Sequence, residues 1–152
     1  MGETLFESVS LFFQQDNWPI SQVEGQPAIK MRFQGKNGIW NCLIEVQEAR
    51  QLIIFYSALP VVVPEARRMA LGEYLMRANF GLTTGNFELD FEEGEARFRT
   101  SIVAADGSIS QVMVKTLVYL NLLTMDRYLP GLLAVMDGNV EPAAAIAQIE
   151  GR

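Results

Sequence analysis

The stretch from Val112 to Met125 is apolar on nearly every side when it is wound into a helix, and this limits what the chain can become. At about 100° per residue, Val112, Val114, Leu117, Val118, Tyr119, Leu120, Leu122, Leu123 and Met125 do not share one stripe. Such a helix needs cover on more than one side. Its uncharged run, Thr116 to Met125, is bounded by Lys115 and Asp126 and falls well short of the roughly 20 residues that span a bilayer. It is therefore expected as a buried helix inside a globular fold. With 152 residues, 49% of them hydrophobic and 20% charged, the chain is expected to form a single domain over residues 1–152.

Other segments supply the cover. Thr4 with Glu7 makes a capping-box pattern, and Leu5, Val9 and Phe12 recur at helical spacing until Trp18-Pro19 stops the helix after Asn17. The period then changes to two. Ile29, Met31 and Phe33 alternate with Lys30, Arg32 and Gln34 ahead of Asn37-Gly38, a dipeptide suited to a type I′ turn. That turn sets Phe33 opposite Cys42, Met31 opposite Ile44 and Lys30 opposite Glu45. A third strand over residues 52–57 is apolar on both faces, which suits a central position.

Pro64-Glu65 opens a second helix that runs to Phe80 and closes on Gly81. Leu71, Tyr74, Leu75 and Ala78 form its inner stripe, while Met69, Met76 and Phe80 form a second, separate one. Residues 86–92 and 95–102 alternate as a hairpin. A turn centred on Glu93-Gly94 puts Leu89 opposite Phe98, Asp90 opposite Arg97 and Glu88 opposite Arg99. Ser108 with Gln111 offers the cap of the long apolar helix, Pro130 should kink or break it after Leu129, and Pro142 can begin a last short helix.

The chemistry is mostly a record of exclusions. With no histidine and only Cys42, the chain offers no Ser-His or Cys-His dyad and no zinc cluster, so catalytic, metal and cofactor sites are all expected to be absent. Cys42, among Trp40, Leu43 and Ile44, reads as a core residue. Twelve basic against 18 acidic residues give a net charge of −6, a poor match to nucleic acid or an anionic membrane. The acids from Glu88 to Glu95 read as the solvent face of a hairpin, and Lys30, Arg32 and Lys36 as a soluble exterior that can meet an acidic partner. The first residues show no cationic region before an apolar stretch, so no secretory signal is expected and a cytoplasmic location is.

The element order is helix, three-stranded meander, helix, hairpin, long helix. It resembles the fold of the type III secretion chaperones and of the YbjN family, described as bacterial sensory transduction regulators. Four local strings resemble cyanobacterial members of that family: Arg77-Ala-Asn-Phe-Gly81, Gly85-Asn-Phe-Glu-Leu-Asp90, Glu93-Gly-Glu-Ala-Arg97 and Met125-Asp-Arg-Tyr-Leu-Pro130. The resemblance implies an α+β fold of order α-β-β-β-α-β-β-α, commonly dimeric, with a binding or chaperone-like role and no catalytic residues.

The expected function is a non-enzymatic protein-binding module, chaperone-like or regulatory. It acts as a homodimer whose partner chain covers part of the long helix. An apolar stripe at helical spacing is usually core, so Met69, Met76 and Phe80 are expected to pack inside the monomer or in the dimer; left open, they are offered to an unidentified protein partner. The alternative is a small-ligand sensor or an enzyme working without histidine, with Glu24, Glu45 or Glu48 as acids near strand ends.

Overall fold

The helix-period and strand-period segments assemble, in a computed structural model that describes residues 3–151, into one antiparallel sheet with its helices on one face. The reading of the chain's first residues falls partly on Met1 and Gly2, outside the described range. Helix α1 (Leu5–Gln15) starts at the expected capping box: the Thr4 side chain accepts from the Glu7 amide, and the Glu7 carboxylate accepts from the Thr4 amide. Strands β1 (Ile20–Gln22), β2 (Ala28–Gln34), β3 (Ile39–Gln47) and β4 (Leu52–Ala58) follow, and then α2 (Arg68–Asn79). The hairpin β5 (Asn86–Leu89) and β6 (Ala96–Val103) leads into α3 (Gln111–Met136) and the short α4 (Pro142–Glu150). The sheet order is β1-β2-β3-β4-β6-β5, so β4 is central, as its two apolar faces require. This is the α+β architecture expected, with one strand more than expected: β1 pairs Ile20 with Met31 and extends the meander.

Both hairpins keep the expected faces and shift their pairing by two residues. In the first, Phe33 lies opposite Trp40 and Met31 opposite Cys42, and Gly35 donates to the Gly38 carbonyl at 2.8 Å. The turn is thus centred on Lys36-Asn37, and no residue in it has the positive φ that a type I′ turn requires. A tertiary contact decides this. The Asp126 carboxylate on α3 accepts from the amides of Lys36 (3.1 Å) and Asn37 (2.9 Å). In the second hairpin Glu88 lies opposite Arg97 and Leu89 opposite Ala96. Asp90 there accepts from the amides of Glu92 and Glu93, and Gly94, at φ +79°, closes a four-residue loop. The expected Asp90–Arg97 pairing gives way to Glu88–Arg97 at 2.7 Å.

Helix α3 departs from expectation twice. Its cap is Ser110, which accepts from the Met113 amide at 3.1 Å; Ser108 sits in the Asp106 turn, and Gln111 reaches Ser8 on α1. Pro130 does not break the helix, which continues to Met136. A proline leaves the carbonyl four residues earlier without its helical donor. That carbonyl belongs to Asp126, and the Asn37 side chain donates to it at 2.9 Å. The hairpin turn therefore compensates the interruption.

The core lies between the sheet and α1, α2 and α3. Ile44, Ile53, Phe55 and Phe98 face it without measurable exposure, and α3 adds Val114, Val118 and Leu122. A buried polar network fixes α3 over the middle of the sheet. The Asn121 Nδ2 donates to the Phe55 and Phe98 carbonyls at 2.9 and 3.1 Å, while Ser57 donates to Asn121 Oδ1 at 2.6 Å. Trp40 Nε1 in turn donates to Ser57, and the Thr100 hydroxyl donates to the Leu117 carbonyl. Every partner in this network is satisfied, so it reads as a device for register between helix and sheet.

Candidate helix-borne contact surface

Helix α2 has two unlike sides. Leu71, Tyr74, Leu75 and Ala78 are buried, and the Tyr74 hydroxyl donates to the Tyr128 carbonyl at 2.7 Å. At Gly131 the α2–α3 approach is so close that a Cβ would meet the Tyr74 ring. The opposite side carries Met69, Met76 and Phe80, which are 78%, 69% and 76% exposed. The structure therefore places the second stripe on the surface and not in the core of the chain.

The neighbours of this stripe are defined. Glu73 and Arg77, one turn apart, form an ion pair at 2.8 Å along one side. On the other side lies Gly72, where a Cβ would stand 2.8 Å from the Phe91 ring. Phe91, itself 52% exposed, thus extends the apolar surface beyond the helix. Arg68 holds the Phe91 loop in place by donating to the carbonyls of Phe91 and Glu92, each at 2.9 Å. Phe91 escapes a reading of α2 alone, because only the folded hairpin brings it there. At the far end, Phe80 and Arg77 border a hollow of about 420 Å³ with Ala143 and Ile146 of α4.

A second uncovered stripe runs along α3. Val112, Leu120 and Leu123 are 73%, 42% and 65% exposed, and Thr116 between them turns its hydroxyl back to the Val112 carbonyl at 2.9 Å. The cover that this helix needs on more than one side is therefore incomplete within the chain.

The candidate acids are not gathered into a site. Glu48 accepts from the amides of Leu5 and Phe6 at 3.2 and 3.0 Å and so caps α1, where a carboxylate meets the positive end of the dipole. Glu24 lies in the turn between β1 and β2, and Glu45 lies on β3, opposite Ala28 and Ile54. Cys42 is buried, and loss of water pushes its thiol up to about 12 despite the Ser57 hydroxyl 3.9 Å away. Among the described residues no group of three or more Cys, Asp or Glu is arranged to hold a metal ion. No helix there is long and apolar enough to cross a membrane.

Comparison with known proteins follows the same lines. The model of the YbjN family, "Putative bacterial sensory transduction regulator", matches residues 6–134. No curated protein matches the sequence. The crystal structure of YbjN from E. coli, titled a "putative transcription regulator", is similar at a TM-score of 0.63 and 11% identity, over 90% of this chain and 94% of that one. The ExsC–ExsE complex gives a TM-score of 0.50 at 11% identity, over 77% and 84% of the two chains. The HopA1–SchA chaperone–effector complex gives 0.46 at 15% identity, over 86% and 88%. At these identities the likeness is one of fold. The family model, spanning α1 to nearly the end of α3, is what shows membership: the chain belongs to the YbjN family.

Proposed function

We propose that this chain is a non-enzymatic protein-binding module of regulatory or chaperone-like type, and that it works in the cytoplasm as a homodimer. One observation carries the reading: Met69, Met76 and Phe80, exposed by 78%, 69% and 76%, stand on one side of a helix whose other side is fully packed. Isolated exposed apolar residues are ordinary, but three on one side of a helix, with Phe91 beside Gly72 between them and a charged pair along the rim, mark a contact surface. Methionine adapts its shape to a partner better than branched residues do. The outer stripe of α3, with Val112, Leu120 and Leu123, is the surface assigned to the second copy. The family's description as regulators, and the likeness in fold to a protein of the ExsC–ExsE complex, agree with a role in binding. That the chain is of the cyanobacterial type rests on its four local strings alone.

A photo-crosslinking amino acid placed in turn at positions 69, 76 and 80, in cells that make the protein natively, tests the stripe. The expected result is one crosslinked species of the same mass from all three positions and none from exposed Glu24 in the turn between β1 and β2. Equal, diffuse crosslinking from all four positions would overturn it.

A further inference from the structure

The helices cover one face of the sheet, and the other face holds a cleft of about 780 Å³. Strand register places two cross-strand rows there. One runs Ser21, Lys30, Leu43, Tyr56, Arg99; the next runs Arg32, Asn41, Ala58, Arg97, Glu88. Leu43 and Tyr56 supply an apolar floor, and the small Ala58 leaves a depression between Arg32 and Arg97. With strands about 4.8 Å apart, Arg32 and Arg97 stand roughly 14 Å from each other across the cleft.

The cations on the two rims differ. Arg97 lies over the Tyr56 ring at 4.2 Å and is paired with Glu88 at 2.7 Å and Glu95 at 3.9 Å. Desolvation works against its charge, but Glu88, helped by Tyr56 and Glu95, outweighs it and raises the guanidinium pKa. Its charge is already matched. Lys30 and Arg32 lie two residues apart on the same face of β2 and make no ion pair among the described residues. In a chain of net charge −6, two adjacent unmatched cations beside an apolar floor are a local inversion of the surface.

We propose that this cleft binds a small amphipathic organic acid. Its carboxylate or sulfonate sits between Lys30 and Arg32, and its apolar body lies over Leu43 and Ala58 against Tyr56. The volume falls within the roughly 300–1,000 Å³ of small-molecule sites. A long acidic polypeptide is disfavoured, because past Arg97 the surface turns acidic with Glu88, Asp90 and Glu95. The proposal stands apart from the protein-binding reading, since it uses the opposite side of the molecule from α2.

Amide NMR titration of the full chain with 2-naphthoate, and in parallel with the uncharged 2-naphthylmethanol, is the test. Naphthoate should move the amides of residues 30–32, 41–43 and 56–58 saturably, with the alcohol at least tenfold weaker. The double variant Lys30→Gln with Arg32→Gln should weaken naphthoate at least tenfold while its circular dichroism stays unchanged, and Ala58→Phe should block it. The proposal is overturned if the alcohol binds as well as the acid, or if the double variant binds normally. It is equally overturned by shifts confined to α2, or by no saturable shift up to about 10 mM. Tighter, Lys30- and Arg32-dependent binding of hexaglutamate would reassign the cleft to an acidic polypeptide.

Discussion

The inner and outer sides of α2 differ little in how apolar they are and greatly in what touches them. Leu71 and Tyr74 meet α3 and the core without measurable exposure, whereas Met69 and Phe80 keep more than three quarters of their surface. The sheet repeats the contrast: Phe98 and Thr100 lie under α3, while Lys30 and Arg32, on the other face, stand in water. Hydrophobicity alone therefore does not decide what is core here. Packing partners do, and stability should follow the covered sides while recognition follows the open ones.

The sharpest way to break this contrast is at Asn121. Asn121→Leu leaves the Phe55 and Phe98 carbonyls without their Asn121 donor and the Ser57 hydroxyl without its acceptor, and should cost about 3 kcal/mol in urea unfolding. Next, Asp126→Ala removes the acceptor for two turn amides and should cost about 1.5 kcal/mol in the same measurement. On the open side, Met76→Glu should leave the unfolding free energy in urea within about 0.5 kcal/mol of wild type.

The smallest effect is expected at Asp16, an exposed carboxylate whose pKa is lowered by hydrogen bonds from the Tyr119 hydroxyl and then Trp18 Nε1. A lowered carboxylate pKa contributes stability above its unfolded value, and that contribution disappears as pH falls through the folded value. Asp16→Asn should therefore be slightly less stable than wild type at neutral pH. The gap should close below about pH 4 in acid titration followed by fluorescence.

Local pattern made most of the fold legible. Alternation gave the strands, Thr4 with Glu7 gave the start of α1, and Pro142 gave that of α4. Features set by distant partners were not legible. Asn37-Gly38 and Glu93-Gly94 suggest turns centred one residue after the real ones, which moves the pairing by two, because Asp126 on α3 fixes the first loop and the Asp90 carboxylate the second. Parity survived, since a shift of two keeps every side chain on its face. Pro130 looked like a break because the Asn37 donor that compensates it lies on another element. Strand β1 is three residues long and carries no alternation to read. The stripe of Met69, Met76 and Phe80 could be drawn from spacing, but whether it was core or surface depended on the chain's own packing. The cleft needed the strand order that brings Arg32, Ala58 and Arg97 into one row.

Sedimentation equilibrium on the wild type, Leu123→Glu and Met76→Glu tests most directly the claim that the open helix faces are contact surfaces, with α3 meeting a second copy. The account predicts a dimer for the wild type and for Met76→Glu, and a monomer for Leu123→Glu. A wild type that stays monomeric at high concentration, or a Leu123→Glu variant that stays dimeric, would contradict it.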